Sequence, residues 1–383
     1  MINSDRITQR FIELAQIDSV SRQEGEISAR LTQILEDMGA KVIFDNAGEK
    51  VNGQIGNLIA RFPGNTGAEP IFLSGHMDTV EPGNGVKVQF KDGIFTSDGT
   101  TILGADDKSA LAIILEAMDC VLENNLPHPP VEIIFTICEE IGLLGAVHLD
   151  YSLIESRFGY ILDSTDTEGI VTRAPASNKI DIMIKGRAAH AGAAPEKGIS
   201  AIKVAADAIS SLHLGRIDAE TTCNLGTIAG GLATNIVPEE VHIRGEARSH
   251  SDEKLDRVTQ TILDAFFTSA KHHETRNGTD NGLPKIDTRV EQDFPRTNIP
   301  EDHLTVRLAR KAAGNLGYEL ESKTIGGGAD ANIFFSKGII AGVLGTGMKD
   351  VHTLKENIAL ADMVKTTGLI LEILRVHAAG EPV

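Results

Sequence analysis

The sequence predicts an α/β protein: a mainly parallel sheet flanked by helices, with a separate α+β unit inserted into it. Three observations carry this reading. Short, almost wholly apolar runs (Ile71-Phe72-Leu73-Ser74-Gly75, 131–137, Tyr160-Ile161-Leu162) alternate with amphipathic segments of helical length. Strands without polar alternation are those buried on both faces, as in parallel sheets covered by helices. The 38 glycines suit many tight strand-to-helix turns.

In chain order, 5–17 and 24–39 read as helices, 41–45 and 57–62 as strands, and 71–75 as a buried strand. Residues 86–96 read as a hairpin. A helix over 107–124 places Leu111, Ile114, Leu115, Met118 and Leu122 on one face. The strands at 131–137 and 159–162 follow. From about residue 178 the pattern switches to period two, Ile180, Ile182 and Ile184 alternating with Lys179, Asp181 and Lys185, which marks half-exposed strands. Helices at 198–213 and 251–271, with strands at 222–229, 240–247 and 284–291, give two helices over a four-stranded antiparallel sheet. Residues 272–282 read as a polar loop, and Pro295 and Pro300 mark a crossing back. The βα style resumes with a helix over 301–315, a glycine turn at Gly326-Gly327-Gly328, a strand over 339–344 and a helix over 357–377. The domains expected are 1–177 with 295–383, and 178–294 inserted between them.

Composition excludes several function classes. Hydrophobic content is 41%, charged content 23%, and the net charge is −18 with no Lys/Arg run. Nucleic acid and anionic membranes need a basic patch, and aromatics for base stacking are scarce at 4%, with no tryptophan. No stretch approaches membrane-spanning length, and the charged amphipathic start is unlike a signal peptide. Three unpatterned cysteines point to a reducing, cytoplasmic setting.

The chemistry gathers at strand ends. His76 and Asp78 close the 71–75 run and, two apart, point to one side. Asp106 precedes a helix, Glu139-Glu140 follows the 131–137 strand, Asp163 ends the next, and His352 follows the strand over 339–344. Singly each is ordinary: a polar strand end, an N-cap, a solvated pair, a turn aspartate. Together they fall where parallel sheets form their sites, at the carboxyl ends of strands. Imidazoles and carboxylates without cysteine suit Zn²⁺, Co²⁺ or Mn²⁺. One carboxylate can bridge two ions ~3.5–4 Å apart, and a further one can serve as general base.

At these residues the chain resembles the co-catalytic zinc exopeptidases and amidohydrolases, a family that includes peptidase T, aminoacylase, succinyl-diaminopimelate desuccinylase and glutamate carboxypeptidases. The resemblance covers essentially the whole chain: His76-Met77-Asp78, GADDK at 104–108, Glu139-Glu140, Asp163, GRAAHAG at 186–192, TNIVP at 234–238, GEAR at 245–248 and His352. It implies a zinc exopeptidase-like catalytic domain with an inserted lid and dimerisation domain. It also implies two divalent ions, Zn²⁺ with Co²⁺ or Mn²⁺ as alternatives: His76 and Asp163 on one, Glu140 and His352 on the other, Asp106 bridging. Asp107 would then begin the helix. Asp78 would orient His76, and Glu139 would be the base that deprotonates the bridging water. In the lid, His190 would reach the partner subunit's site, and Asn235 and Arg248 would hold the substrate's polar end. Gly327 would offer backbone donors. The remaining histidines read as surface or lid-structural.

Aspartate rather than glutamate at position 163, with the SGHMDTV and CEEIG contexts, looks closest to peptidase T and its relatives. The resemblance thus implies a cytoplasmic homodimeric aminopeptidase acting on short peptides, tripeptides foremost. A carboxypeptidase, dipeptidase or amidohydrolase/deacylase of the same family is the alternative. A metal-free scaffold on this fold is disfavoured, because every expected ligand and the base are present.

Overall fold

The computed structural model describes residues 2–277 and 282–381. The chain forms two units, Met1–Arg173 with Thr297–Val383, and Ala174–Arg296.

The first unit opens with α1 (Ser4–Ala15), whose first turn is capped by the Asn3 side chain accepting the Asp5 and Arg6 N–H groups; Ile7, Phe11 and Leu14 recur at helical spacing and are buried. Next come α2 (Gly25–Asp37), β1 (Lys41–Phe44), α3 (Ala47–Val51), β2 (Leu58–Phe62) and β3 (Ile71–His76). A hairpin of β4 (Gln89–Lys91) and β5 (Ile94–Thr96) leads to α4 (Ala105–Glu123), then β6 (Val131–Thr136), α5 (Leu144–His148), β7 (Phe158–Ser164) and β8 (Gly169–Ala174).

The second unit contains β9 (Ala176–Lys185), α6 (Ala201–Ser210), β10 (Gly215–Arg216), β11 (Thr221–Gly230), β12 (Glu240–Ser249), α7 (Asp252–Asn277) and β13 (Lys285–Phe294). The first unit then resumes through β14 (Thr297–Asn298), α8 (Leu304–Asn315), β15 (Glu321–Thr324), α9 (Asp330–Ser336), β16 (Ile340–Gly345), β17 (Asn357–Ala359) and α10 (Leu360–Ala379).

The large sheet runs β1-β2-β6-β3-β7-β16-β8-β14, with β15 on β8. Its centre, β6-β3-β7-β16, is parallel; β2 joins β6, and β8 joins β16, antiparallel. Every residue of β3 and β6 is buried, which explains their lack of alternation. Side chains such as Phe72, Leu73, Ile133 and Phe135 are sealed from water, each contributing ~1.5–3 kcal/mol of burial. Because the four central strands run the same way, all their carboxyl ends reach one edge.

In the second unit the antiparallel order is β10-β11-β12-β9-β13. Ile180, Ile182 and Ile184 pack with Val241, Ile243, Val204 and Phe266. The expected four strands gain a two-residue fifth, β10. The expected loop at 272–282 is corrected in part: α7 continues to Asn277, and buried His273 is tied to Asp207 of α6, 2.8 Å away. Residues 278–281 of that stretch lie outside the described residues. The last helix begins at Leu360 because 357–359 pair with β5 instead. His128, read as surface or lid-structural, is instead a buried residue of the first unit, with Nδ1 2.9 Å from the Pro129 carbonyl. The three cysteines are buried and none is in a disulfide. Among the described residues no helix is long and apolar enough to cross a membrane.

Candidate metal centre

The parallel strands of the first unit bring their polar ends together. β3 ends on His76, β7 carries Asp163 at its end, β6 leads into Glu139-Glu140, and β16 leads through a loop to His352. Asp106 enters from the start of α4, where Gly104 (φ +76°) holds the N-cap position without a side-chain cap. Asp106 is therefore not a cap; its backbone is non-helical and its carboxylate faces the imidazoles.

His76 Nδ1 lies 2.9 Å from the carbonyl oxygen of Asp78. That hydrogen bond assigns the proton to Nδ1 and leaves the Nε2 lone pair aimed at the cluster, the usual arrangement of a metal-ligating histidine. The Asp106 carboxylate is divided between the two imidazoles. Its Oδ1 is 3.1 Å from His76 Nε2 and its Oδ2 is 3.1 Å from His352 Nε2. His352 Nε2 is also 3.0 Å from Glu140 Oε1. Donor atoms of His76, Asp106 and Glu140 lie within 4.8 Å of one another, as do those of Asp106, Asp107 and Asp163.

Asp78 acts mainly on the neighbouring strand. Its carboxylate accepts the Glu139 N–H (2.8 Å), the Glu140 N–H (3.2 Å) and the Ser21 hydroxyl (2.6 Å), while its Oδ1 is 3.5 Å from His76 Nδ1. It thus holds the turn that presents both glutamates. Cys138 begins that turn in the left-handed region (φ 52°), and its N–H is held by buried Glu24 at 3.0 Å.

The electrostatics are those of a site built for cations. Burial pushes Glu139 well above the usual carboxylate range, with Asp163 adding to the shift. Burial likewise raises Asp163, reinforced by Asp106 and Glu140, and it raises Glu140. Burial would lower His76, but its hydrogen bonds to Asp106 and Asp78 leave it raised. Hydrogen bonds to Asp106 and Glu140 lift His352 to about 10. Without metal, then, protons on two imidazoles and several carboxyls supply the positive charge this cluster needs. Two divalent ions would supply it instead, bound by two imidazoles and three carboxylates with no thiolate, a donor set that suits Zn²⁺, Co²⁺ or Mn²⁺. The residues fit the group.

Asp107 and Asp330 were not read from the sequence as part of the site. Asp107 does not begin the helix: its backbone is non-helical, and its buried carboxylate accepts the His76 N–H at 3.1 Å. Burial, then the charges of Asp163 and Asp106, raises it well above the usual range. Asp330, at the start of α9, is buried, accepts the Thr136 hydroxyl at 2.6 Å, and is pushed by burial to about 6. Its field reaches Glu139 and Asp163. The doubled aspartate at 106–107 was a usable signal; nothing local marked Asp330.

The other candidates lie elsewhere in the chain. Gly327 sits in an open turn of the first unit with space around its α-carbon. In the second unit, exposed His190 accepts the Gly192 and Ala193 N–H groups through Nδ1, and the Asn235 carbonyl accepts the Ala191 N–H at 2.9 Å. Arg248 is 3.0 Å from Glu246 and lies over the Phe294 ring.

Comparison with known proteins decides the family. The model of peptidase family M20/M25/M40 matches residues 72–376. The chain belongs to that family. A Bacillus subtilis (strain 168) relative, the uncharacterized protein YqjE, is 41% identical over 375 residues, covering 98% of this chain and 99% of its own. The crystal structure of the aminopeptidase PepT from Bacillus cereus is 40% identical, with a TM-score of 0.91 over 99% of each chain. That of a tripeptidase from Staphylococcus aureus is 37% identical, with a TM-score of 0.94, over 99% of this chain and 100% of its own. The peptidase T-like M20 resemblance read from the motifs is borne out, as is the mostly parallel sheet with its separate α+β unit. The M20 match and the aminopeptidase and tripeptidase similarities make the chain a metallopeptidase, and the carboxylate-imidazole cluster supplies groups of residues that could hold a metal ion.

Proposed function

We propose that this M20 peptidase is a dinuclear-metal aminopeptidase that releases the N-terminal residue of short peptides, tripeptides foremost. The observation that carries the reading is the divided Asp106 carboxylate, one oxygen toward His76 and the other toward His352. A carboxylate set between two imidazoles is built to bridge. His76 and Asp163 would hold one ion, and Glu140 and His352 the other. Zn²⁺ heads the candidates, with Co²⁺ and Mn²⁺ behind it. The ions would acidify a water and polarise the scissile carbonyl.

The rest of the chemistry belongs to this chain's side chains. Glu139 is the general base: its raised pKa suits a group that takes a proton from water and returns it to the leaving amine. Asp78 holds Glu139 and Glu140 in register through their N–H groups, and its carbonyl fixes the His76 ring. The family resemblance gives substrate-binding roles to Gly327 in the first unit and to His190, Asn235 and Arg248 in the second, with His190 serving the partner's site in a homodimer. The similarity to an aminopeptidase and to a tripeptidase, each over the whole chain, supports this specificity.

The test is a panel of tripeptides with free, N-blocked or C-amidated ends. Hydrolysis that is lost on N-blocking and survives C-amidation supports the aminopeptidase. Hydrolysis insensitive to N-blocking sinks it, and dependence on a free carboxylate turns the assignment to a carboxypeptidase.

A further inference from the structure

Glu356 lies four residues beyond His352 and takes no part in the ligand set. Its side chain is nevertheless 1% exposed, and its carboxylate accepts three main-chain N–H groups from a segment some 250 positions earlier. Oε2 receives Leu103 and Gly104 at 2.8 Å each, and Oε1 receives Asp106 at 2.9 Å. Gly104 and Asp106 lie at the start of α4, where donors are left over because Gly104 supplies no side-chain cap, and Leu103 is the residue just before. The cap comes from the far end of the chain. Charge-assisted bonds of this kind are about twice as strong as neutral ones.

The loop on the other side of the clamp is closed at its base by the Lys349–Asn357 backbone pair, with N–H···O distances of 2.8 and 3.0 Å. Among the described residues between Met348 and Ile358, only Glu356 is buried. His352 itself has a half-exposed side chain and a left-handed backbone (φ 61°), as does Asp350 (φ 52°). The ring that meets Asp106 and Glu140 thus rides on a loop whose one buried anchor grips the Asp106 turn.

We propose that Glu356 is a positioning residue that locks the His352 loop to the Asp106 turn and so sets the metal position shared by Glu140, His352 and Asp106. The inference rests on the dinuclear reading above. It bears unequally on the two metal positions: the one held by His76 and Asp163 is built on β3 and β7 and meets the clamp only through the shared Asp106, whereas the other depends on it through both Asp106 and His352.

The test uses metal-free wild type, Glu356→Gln and Glu356→Ala, titrated with Co²⁺ by calorimetry and by the visible absorption of the bound ion. Amide hydrogen exchange is measured on the same metal-free proteins. Glutamine keeps the shape but has one acceptor oxygen, so it holds either the Leu103 and Gly104 groups or Asp106, not all three. In Glu356→Gln the second Co²⁺ binds about 10- to 100-fold more weakly, with an altered spectrum, while the first, which meets the clamp only through Asp106, is weakened clearly less. Exchange quickens at Leu103, Gly104 and Asp106 and across 349–356, more so in Glu356→Ala. A purely structural cap would lower the melting temperature and leave both affinities alone. Unchanged affinities, or equal weakening of both ions, overturn the proposal. Wild type binding fewer than two Co²⁺ overturns the dinuclear reading instead; exchange then decides the clamp, and unchanged rates in both variants refute it.

Discussion

Replacing Asp78 with asparagine tests how the site is held together. The side chain is fully buried and its two oxygens serve three donors: Glu139 N–H, Glu140 N–H and the Ser21 hydroxyl. Asparagine keeps the volume but offers one acceptor. If its oxygen stays on the Glu139 N–H, its amide faces the Glu140 N–H, donor against donor. The Ser21 hydroxyl can rotate and accept, so its loss is small. What is lost is a hydrogen bond to a charged acceptor, ~1.5–3 kcal/mol, with up to ~1–3 kcal/mol more for a buried donor left unmade. The two together come to ~2.5–6 kcal/mol, and at ~1.4 kcal/mol per factor of ten the displaced Glu139-Glu140 turn lowers kcat/KM by about 60- to 20,000-fold. The comparator Ser21→Ala removes one partly buried hydroxyl donor to the same carboxylate and leaves both main-chain bonds intact, ~1.5 kcal/mol, or about tenfold. The assay is hydrolysis of a free tripeptide at matched metal content, with thermal melts alongside. Asp78→Asn within about twofold of wild type, with an unchanged melting temperature, would refute the reasoning.

Three further outcomes are expected. Glu139→Gln removes the base but no metal ligand, so kcat falls by about 10²- to 10⁴-fold while metal content holds at the wild-type value; parallel loss of metal would show that Glu139 is a ligand instead. Gly75→Ala puts a Cβ 2.7 Å from Asp107 Oδ2 and 2.9 Å from the Ala110 Cβ, so overpacking costs ~1–3 kcal/mol and loosens the bond to the His76 N–H; a melting temperature equal to wild type contradicts this. The third concerns pH. The folded pKa of His352, about 10, is raised by Asp106 and Glu140, so its ion pairs stabilise the metal-free protein fully below ~6.5 and lose that effect as pH rises through the folded value. Melts of metal-free protein should fall over that window more steeply than those of His352→Ala, and bound metal, which needs the neutral ring, should widen the gap between loaded and metal-free protein. Parallel pH curves for the two metal-free proteins contradict it.

The sequence revealed what depends on local pattern. β3, β6 and β7 were legible as unalternating apolar runs because both faces are buried, and β9 as a period-two run because one face is wet. His76, Glu139, Asp163 and His352 were legible because parallel strands must release their polar residues at one edge. Short elements such as α3, β8, β15 and α9 were not, since a few residues carry no period. The same holds for residues whose partners are distant in sequence. Asp107 resembles a helix start until its carboxylate is seen on the His76 N–H, and Glu356 is an unremarkable acid in Thr-Leu-Lys-Glu until its three donors are found at 103–106. Asp330 owes its character to burial and to the Thr136 hydroxyl on another element.

The central claim is that Asp106 bridges two ions that together run the hydrolysis. The most direct measurement titrates metal-free protein with Zn²⁺ while recording bound metal per chain and the rate of free-tripeptide hydrolysis. The account predicts binding that saturates at two ions per chain, with activity reaching its full value only as the second site fills. Saturation at one ion with full activity, or a rate indifferent to metal, would contradict it.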